Sequence, residues 1–262
     1  MLRIICVKAL VYGIRSAANK GFYAWLKKQD ADIICMQELK AQASDMTPEM
    51  LQPAGYSGYF HYAEKKGYSG VGIYTRNKPD KVIEGLGIAD IDSEGRYIEI
   101  QLGNLSVISL YLPSGSSGEE RQAFKFSVMA RFMPHLETLI DCGREVVICG
   151  DWNIAHKEAD LKNWRGNKNN SGFLPEERVW LSDLFDRVRW VDVYRRLHPD
   201  ATEEAYTWWS NRGQAWAKNV GWRIDYQIAT PQLAEKARAA SIYKDERFSD
   251  HAPLTIDYAS MK

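Results

Sequence analysis

The 262-residue sequence lacks a net charge, since 34 lysines and arginines balance 34 aspartates and glutamates. This balance argues against an extended surface that coats a polyanion, although it allows a local basic groove beside an acidic metal site. No segment approaches the roughly 18 apolar residues that a membrane span needs, and the N-terminus has no long apolar signal-peptide core. We therefore expect no membrane association.

Cysteine is also scarce, with four residues and no C-x-x-C pair. Cys6, Cys35 and Cys149 lie in apolar, strand-like runs, where a thiol usually acts as a small hydrophobic side chain. This usage predicts that the chain has no structural disulfides and works in a reducing, cytoplasmic compartment.

The composition that is present is that of a globular protein. Hydrophobic residues make up 45% and charged residues 26% of the chain, which is enough for a substantial core. Nine tryptophans and fourteen tyrosines exceed what a plain core needs. Because no shift in composition, long linker or repeat divides the sequence, we expect residues 1–262 to form a single domain.

Strand and helix patterns alternate along the chain. Strands are predicted at residues 2–10, 32–36, 70–74, 97–102, 105–112, 145–149, 207–209, 221–228 and 254–258. Helices are predicted at 19–29, 119–142, 175–185 and 190–197, and polar loops at 115–118 and 157–171. Strands spread evenly through the chain, with few helices, favour two packed sheets flanked by helices over a strict βαβ ladder.

Several of the predicted strands end in, or are preceded by, polar residues that are costly to bury. These residues are Glu38, Tyr111, Asp151, Asn153, Asp225, Asp250 and His251. An isolated carboxylate in an apolar setting is disfavoured unless it is paired or binds a cation. Five such strand ends therefore predict one shared cleft, because loops on a rigid scaffold commonly carry function.

These residue types suit hydrolysis of a phosphodiester, since carboxylates bind Mg²⁺ and the cation stabilises charge on a phosphate. Asp151 can orient or deprotonate a water molecule. His251, with its ring fixed by Asp225, can hold a phosphoryl oxygen or move a proton. Asn153 can donate to the pentacoordinate phosphate, and Tyr111 can bind the phosphate or assist the leaving group. The pattern predicts a divalent-metal phosphodiesterase acting on DNA.

Each motif alone also has a purely structural interpretation. Aspartate–histidine pairs such as Asp250–His251 are common in surface loops, Asp225 could simply pair with Arg223, and Gly-Asp after a strand is a frequent turn. The joint occurrence of the motifs, in this order, favours a functional site.

The same residues resemble the exonuclease III family of apurinic/apyrimidinic endonucleases, in its bacterial form. Six ordered motifs carry the resemblance: 37–40 (QELK), 67–71 (GYSGV), 111–115 (YLPSG), 150–156 (GDWNIAH), 221–226 (GWRIDY) and 249–253 (SDHAP). The resemblance implies a four-layer α/β sandwich of the DNase I type, with two mixed β-sheets packed face to face and helices outside. It also implies Mg²⁺- or Mn²⁺-dependent cleavage of duplex DNA 5′ to abasic sites in base excision repair. A 3′-exonuclease or 3′-phosphodiesterase activity on blocked 3′ ends, and a monomeric state, are further expectations.

The resemblance also implies a role for each matching residue. The implied catalytic residues are Tyr111, Asp151, Asn153, Asp225 and His251. The implied metal site consists of Glu38 as principal ligand, with Asp151, Asn153, Asp250 and His251. The implied DNA contacts are Lys40, Asn167, Asn170, Trp208, Trp222 and Ile224. The last three would form an apolar pocket that admits a flipped-out abasic sugar and excludes a base by size, although tryptophans at these positions could also be ordinary core residues.

The N-terminal motif departs from the family pattern, Asn-x-Asn/Asp-Gly-Ile/Leu-Arg. Gly13-Ile14-Arg15 is kept, but counting back from it puts Leu10 and Tyr12 at the polar positions, and counting forward along the strand puts Lys8 there. An inward Lys8 would compete with the metal for Glu38, whereas Leu10 would leave a gap in the polar network. We therefore predict a weakened metal site and a lowered rate.

This departure keeps two other functions open. Catabolite repression control proteins share the fold and act as regulatory, nucleic-acid-bound partners whose catalytic positions are degraded. Here the catalytic residues remain, namely Asp151, Asn153, Asp225, Asp250 and His251, which favours an enzyme. A phosphatase acting on lipids or small phosphoesters is the other alternative, but the lysine- and asparagine-rich loop and the Trp208-Trp209 pair favour nucleic acid.

Overall fold

The computed structural model describes residues 1–8, 13–19 and 21–259. Its strands are β1 (Leu2–Lys8), β2 (Ile33–Gln37), β3 (Ser57–His61), β4 (Val71–Thr75), β5 (Lys81–Glu84), β6 (Tyr97–Leu102), β7 (Leu105–Tyr111), β8 (Glu145–Asp151), β9 (Val191–Asp192), β10 (Trp208–Trp209), β11 (Gly221–Trp222), β12 (Asp225–Ala229), β13 (Ala237–Ile242) and β14 (Leu254–Tyr258). Its α-helices are α1 (Ile14–Asn19), α2 (Phe22–Lys28), α3 (Pro48–Leu51), α4 (Ala89–Asp92), α5 (Glu119–Ile140), α6 (Trp164–Asn167), α7 (Pro175–Asp186), α8 (Val193–Leu197) and α9 (Pro231–Glu235). Short 3-10 turns lie at Ala43–Asp45, Glu158–Asp160 and Glu203–Ala205.

Twelve of these strands form two six-stranded sheets. The first has the order β13-β14-β1-β2-β4-β3 and the second β5-β6-β7-β8-β12-β9, while β10 and β11 pair as a separate ribbon. Each large sheet contains one parallel pair, β1 with β2 and β7 with β8, and its other pairs are antiparallel. Two mixed sheets with accompanying helices confirm the predicted fold class.

The core lies between the two sheets and beneath the outer helices. Alternate residues of a strand face opposite sides, so Ile4 and Cys6 of β1 face Val107 of β7 in one inter-sheet cluster. On the outer side of the first sheet, Ile5 packs with the aromatic residues of α2. On the outer side of the second, Ile148 packs with α5 and α7. Each large apolar side chain buried in these layers contributes about 1.5–3 kcal/mol to stability, which gives the site a rigid base.

The strands that the sequence did not predict are β3, β5, β9 and β13, and each is the edge strand of its sheet. Their residues are mostly half-buried or exposed, so they lack the continuous apolar run that marks a central strand. The prediction for residues 190–197 was wrong at its start, because Val191–Asp192 pairs with β12 before α8 begins. The Asp192 carboxylate then accepts a hydrogen bond from Arg195 N and caps this helix.

Three other boundaries differ from prediction. Helix α2 begins after Gly21, whose φ of 85° breaks the helix, and the separate helix α1 was missed. The predicted strand 221–228 is interrupted at residues 223 and 224, and the predicted loop 157–171 contains α6. The predicted ends of the first strand at residues 9 and 10 lie outside the described residues. None of the helices that the structure describes is long and apolar enough to cross a membrane.

Candidate active site

The predicted site residues lie where the parallel strands of both sheets end. Lys8 ends β1 opposite Gln37, immediately before Glu38. Tyr111 ends β7 opposite Asp151, the last residue of β8, and Asp225 begins β12 on the other side of Asp151. Lys8 Nζ lies 2.8 Å from Asp151 Oδ2, so the strand ends of the two sheets meet in one cleft.

His251 and Asp225 form a buried pair on the floor of this cleft. Their Nδ1 and Oδ2 atoms are 2.8 Å apart, and Thr207 Oγ1 accepts a hydrogen bond from Asp225 N. Burial alone would lower the pKa of His251, but the attraction and hydrogen bond of Asp225 outweigh it and raise that pKa. Asp225 therefore orients the ring and favours its charged form. It does not pair with Arg223 as the structural interpretation proposed.

Arg223 is instead part of a separate buried network. Its Nε lies 2.8 Å from Asp160 Oδ1 and its Nη1 lies 2.8 Å from Asp192 Oδ2. Arg195 contacts the same Asp160 carboxylate. Burial would raise the pKa of Asp160, but Arg223 lowers it to about 2. This network supports the loop between β11 and β12, which carries Asp225 at its end.

Asn153 is held in a left-handed backbone conformation, with φ of 52°. Its N–H donates to Asp151 Oδ1 at 2.9 Å, and its side-chain Nδ2 donates to Leu112 O at 2.8 Å. Lys125 Nζ donates to Asn153 O at 2.7 Å. Strained backbone of this kind persists only where its surroundings enforce it, as at active sites. The contacts fix both the Asn153 amide and the fully buried Asp151 carboxylate.

Glu38 is compensated by two lysines. Its Oε2 lies 3.0 Å from Lys8 Nζ and its Oε1 lies 2.9 Å from Lys40 Nζ. Burial alone would lower the pKa of Lys8, but Asp151, Tyr111 and Glu38 raise it well above its usual range, so the side chain is an ammonium. Lys8 therefore points into the site and contacts Glu38, the orientation on which the predicted competition depends. Leu10 and Tyr12, the other two departures, lie outside the described residues.

The donor atoms suit a divalent cation on one side of the cleft. Asp151, Asp225 and His251 each offer a ligand atom, and these atoms lie within 4.8 Å of one another, so they form a possible metal site in the state in which the His251 ring is neutral. This cluster contains Asp225 rather than Glu38 or Asp250. The Glu38 side does not fit a cation as the side chains stand, because the Lys8 ammonium already contacts both Glu38 and Asp151.

Asp250 is held beside the cluster by a tryptophan. The indole Nε1 of Trp208 donates to Asp250 Oδ2 at 3.1 Å. Burial would raise the pKa of Asp250, but the positive charges of His251 and Lys8 lower it. Asp250 therefore adds a negative charge at the edge of the cleft, next to the ring of Trp208.

A cavity of about 550 Å³ opens from these residues. Its lining comprises Lys8, Tyr111, Ser114, Ser116, Asn153, Asn170, Ser171, Gly172, Trp208, Arg212, Trp222, Ile224 and His251. The two tryptophan rings meet edge to face with centroids 6.2 Å apart. The predicted pocket residues Trp208, Trp222 and Ile224 thus share one cavity with the predicted catalytic residues Tyr111, Asn153 and His251. Asp151 and Asp225 are buried and are not in its lining.

Two of the predicted DNA-contacting residues, Asn167 and Lys40, are not in the lining of this cavity. Asn167 Nδ2 donates to Asn163 O, and its Oδ1 accepts from Asn170 Nδ2 at 2.9 Å. Lys40 lies against Glu38. Of the asparagine pair in this loop, only Asn170 borders the cavity.

Several cavity and support residues were missed by sequence reasoning. Arg212 and Ser116 border the cavity from polar loops, where nothing in the local sequence distinguishes them from ordinary surface residues. Ser114 also borders it and lies in the 111–115 motif, but that motif predicted no role for it. Gly172, with φ of 92°, passes so close to Trp222 that an added Cβ would lie 3.2 Å from its Cζ3 atom. That positive φ is the kind of constraint that favours glycine, but the sequence alone gives no angle.

The two-sheet scaffold and its acidic cleft define a hydrolytic enzyme of the α/β-sandwich class. The model of the Endonuclease/Exonuclease/phosphatase family matches residues 11–251, nearly the whole chain. The chain therefore belongs to that family, as its motifs predicted.

Similar proteins narrow this assignment to nucleases. The chain is 40% identical over 247 residues to the exodeoxyribonuclease of Bacillus subtilis, covering 94% of this chain and 96% of that protein. It is 34% identical over 249 residues to the DNA-(apurinic or apyrimidinic site) endonuclease of Dictyostelium discoideum, covering 94% and 68%. The structure of an AP endonuclease from Archaeoglobus fulgidus superposes with a TM-score of 0.89 and 29% identity, covering 99% and 100% of the two chains. The chain is thus an enzyme related to DNA-repair nucleases, and the predicted resemblance is confirmed.

Proposed function

We propose that this chain is a Mg²⁺-dependent DNA-repair nuclease that hydrolyses the phosphodiester 5′ to an abasic site in duplex DNA. A 3′-exonuclease or 3′-phosphodiesterase activity on blocked 3′ ends is part of the proposal. One observation carries it: the cavity that exposes Asn153 and His251 is also walled by Trp208, Trp222 and Ile224. A site that cleaves phosphate and a pocket that holds an apolar sugar face are therefore adjacent.

The pocket favours a nucleotide without its base. Enzymes of this kind flip the target nucleotide out of the duplex, which costs least where no base has to be unstacked. The edge-to-face tryptophans, with an angle of 80° between their planes, provide an apolar corner for a deoxyribose, while Gly172 brings the backbone up against the ring of Trp222. The preference follows from the lower cost of extruding a nucleotide that has no base to unstack.

The chain's own side chains provide the acid–base groups. Asp151, fixed by Asn153 N–H, accepts a proton from an attacking water molecule. Asn153 uses one amide hydrogen on Leu112 O, so its second remains for a phosphate oxygen. His251, oriented by Asp225, donates from Nε2 to the phosphoryl group. A divalent cation held by Glu38 and Asp151, in place of the Lys8 ammonium, would add positive charge that stabilises the phosphate in the transition state.

Tyr111 supplies a further donor. Burial raises the pKa of its hydroxyl, and the positive charge of Lys8 only partly offsets that rise. The hydroxyl therefore stays protonated at neutral pH and can donate a hydrogen bond to the phosphate or to the leaving oxygen.

A second candidate function is a catalytically impaired regulator that binds nucleic acid, like the catabolite repression control proteins. The observation that favours it is the contact of Lys8 with both Glu38 and Asp151. In that case the cleft would bind nucleic acid without cutting it.

We also propose that residues 1–262 form one domain that acts as a monomer in a reducing cytoplasm. The inter-sheet cluster supports a single domain, because it includes residues from Ile4 to Tyr258. All four cysteines are free, which supports the reducing compartment. Among the described residues, the exposed large hydrophobic side chains are only Met1, Leu51 and Val179, which supports a monomer.

The test is an incision assay on a duplex with one abasic site, beside a nicked duplex blocked by a 3′-phosphate. Each is measured with Mg²⁺ and with a chelator, for the native chain and Asp151→Asn. We expect Mg²⁺-dependent incision that the substitution lowers by about 100-fold or more. Incision that persists in Asp151→Asn would contradict the catalytic assignment. Binding of the abasic duplex without incision at any Mg²⁺ concentration would favour the regulatory candidate.

A further inference from the structure

The ammonium of Lys8 lies where two carboxylates converge. Its Nζ is 2.8 Å from Asp151 Oδ2 and 3.0 Å from Glu38 Oε2. The Lys8 side chain is 10% exposed and that of Asp151 is 0% exposed. A fully buried carboxylate beside a second, half-buried one is costly without a cation, and Lys8 already supplies one.

The scaffold fixes this lysine from its backbone outward. Lys8 is the last paired residue of β1 and lies opposite Gln37, so its Cα belongs to the centre of the first sheet. Its ammonium is 5.0 Å from the centroid of the Tyr111 ring, whose position is in turn set by β7. Lys8 is therefore a built part of the cleft, unlike a flexible surface lysine.

Glu38 is equally constrained. Its φ of 58° is left-handed, and the residues after it are tied to the next loop by Leu39 N to Gly70 O and Lys40 N to Ser69 O. The backbone of this turn sets the direction in which the Glu38 side chain leaves the chain, and the contacts with Lys8 and Lys40 hold its carboxylate. The contact between Lys8 and Glu38 thus joins two fixed points of the sheet.

We propose that Lys8 is the resident cation of this site, and that a divalent ion reaches Glu38 and Asp151 only by displacing its ammonium. Because the Lys8 ammonium contacts both carboxylates, a metal ion and Lys8 cannot occupy this position at the same time. The Lys8 side chain therefore lowers the affinity of the site for divalent ions. A cation and an ammonium about 4 Å apart repel strongly in a cleft of low dielectric constant. The inference deepens the proposed function, since it concerns the control of that same site.

The chain offers a matched control for this idea. Lys8 and Lys40 both contact Glu38 at about the same distance, and Lys8 also contacts Asp151. Lys8→Met and Lys40→Met therefore remove the same charge beside the same carboxylate. A difference in metal affinity between the two variants therefore depends on where the lysine lies and not on the net charge of the protein.

The experiment measures binding of Mn²⁺ to metal-stripped, DNA-free protein, by electron paramagnetic resonance and by calorimetry. We expect Lys8→Asn and Lys8→Met to bind Mn²⁺ at least about tenfold more tightly than the native chain, and Lys40→Met to differ from it by less than about threefold. Adding Asp151→Asn to Lys8→Met should abolish the gain. Equal gains in both lysine variants, or tight stoichiometric binding by the native chain, would overturn the proposal.

A second readout covers the case in which one variant folds poorly. Added Mn²⁺ should raise the melting temperature of Lys8→Asn more than that of the native chain, because ligand binding stabilises the folded state. Equal shifts in the two proteins would also overturn the proposal. Neither readout involves DNA cleavage, so a failure of the proposed nuclease function leaves a distinct signature in the incision assay.

Discussion

Lys125 of α5 donates a hydrogen bond to Glu177 of α7 over 2.6 Å, and neither side chain is exposed to solvent. Lys125 also holds the carbonyl of Asn153, while Glu177 Oε2 accepts from Gly172 N at 2.7 Å. One buried ion pair thus connects the strained turn after β8 with the loop that borders the cavity.

Removing the positive partner should be costly. We expect Lys125→Met to lower the free energy of unfolding by about 3–5 kcal/mol, because it leaves the charge of Glu177 buried and uncompensated. Urea unfolding measures the loss. The double variant Lys125→Met/Glu177→Gln should recover part of it, since no charge is then left unpaired. A double variant as unstable as the sum of both single variants would show that the pair is not coupled.

The Asp225–His251 pair predicts a non-additive loss of activity. Asp225→Asn should reduce kcat for abasic-site incision by about 100-fold, with a smaller effect on KM, because the ring loses its orienting acid. His251→Asn should cost a similar factor, and the double variant little more, as expected for two residues that act as a unit. Multiplicative losses in the double variant would mean that the residues act independently.

Trp222 predicts a selective loss of substrate recognition. Trp222→Ala should raise KM for the abasic duplex roughly tenfold, because the sugar loses one apolar wall. Trp216 is the control, since it packs on Trp209 with centroids 4.5 Å apart and is not in the cavity lining. The Trp216→Ala variant should keep the native KM. If both substitutions raise KM equally, general loosening rather than the pocket explains the effect.

His156 predicts a loss of stability in acid. Burial, reinforced by Lys157, lowers its pKa from 6.5 to about 4. The unfolded chain therefore binds the extra proton first, so stability is fully present above pH 6.5 and declines as the pH falls towards 4. The decline reaches about 3 kcal/mol at most, from a shift of roughly 2.5 units. Urea unfolding at several pH values, with His156→Gln as the control, should show a flatter profile for the variant; parallel profiles would exclude His156 as the cause.

Restoring the family sequence of the altered N-terminal motif should increase the nuclease activity. Replacing residues 8–15 with an Asn-x-Asn-Gly-Ile-Arg sequence of the family length should raise Mg²⁺-dependent incision of an abasic duplex, because Lys8 no longer neutralises the acids. The rate is compared with that of the native chain at equal Mg²⁺. An unchanged rate would show that the motif does not limit the enzyme.

Sequence predicted the central parts of this molecule better than its margins. The strands with continuous apolar runs were identified because both their faces are buried. Strands β3, β5 and β13 lie at sheet edges and contain polar, partly exposed residues, so they have no such run. Asp151 and its companions stood out because acids at the ends of apolar strands are unusual. The fold class and the family followed from these features and are confirmed.

Contacts between distant segments could not be read from local pattern. Lys8 and Asp151 are 143 residues apart, so their contact depends on how the two sheets meet. The same holds for Thr207 beneath Asp225 and for Arg212 at the cavity. The sequence predicted that an inward Lys8 would contact Glu38, and the packing of the two sheets adds its contact with Asp151.

The chain leaves strand β1 and returns to the same neighbouring segment a few residues later. Lys8 is paired with Gln37, and Ile14 N donates to Leu39 O, so residues 9–12 connect two points on a single neighbouring segment. The register of β1 against β2 is set by the pairs from Ile4–Ile33 to Lys8–Gln37, all of which precede this connection. The register that brings the Lys8 side chain to Asp151 is thus fixed within β1 itself, ahead of the altered motif in the chain.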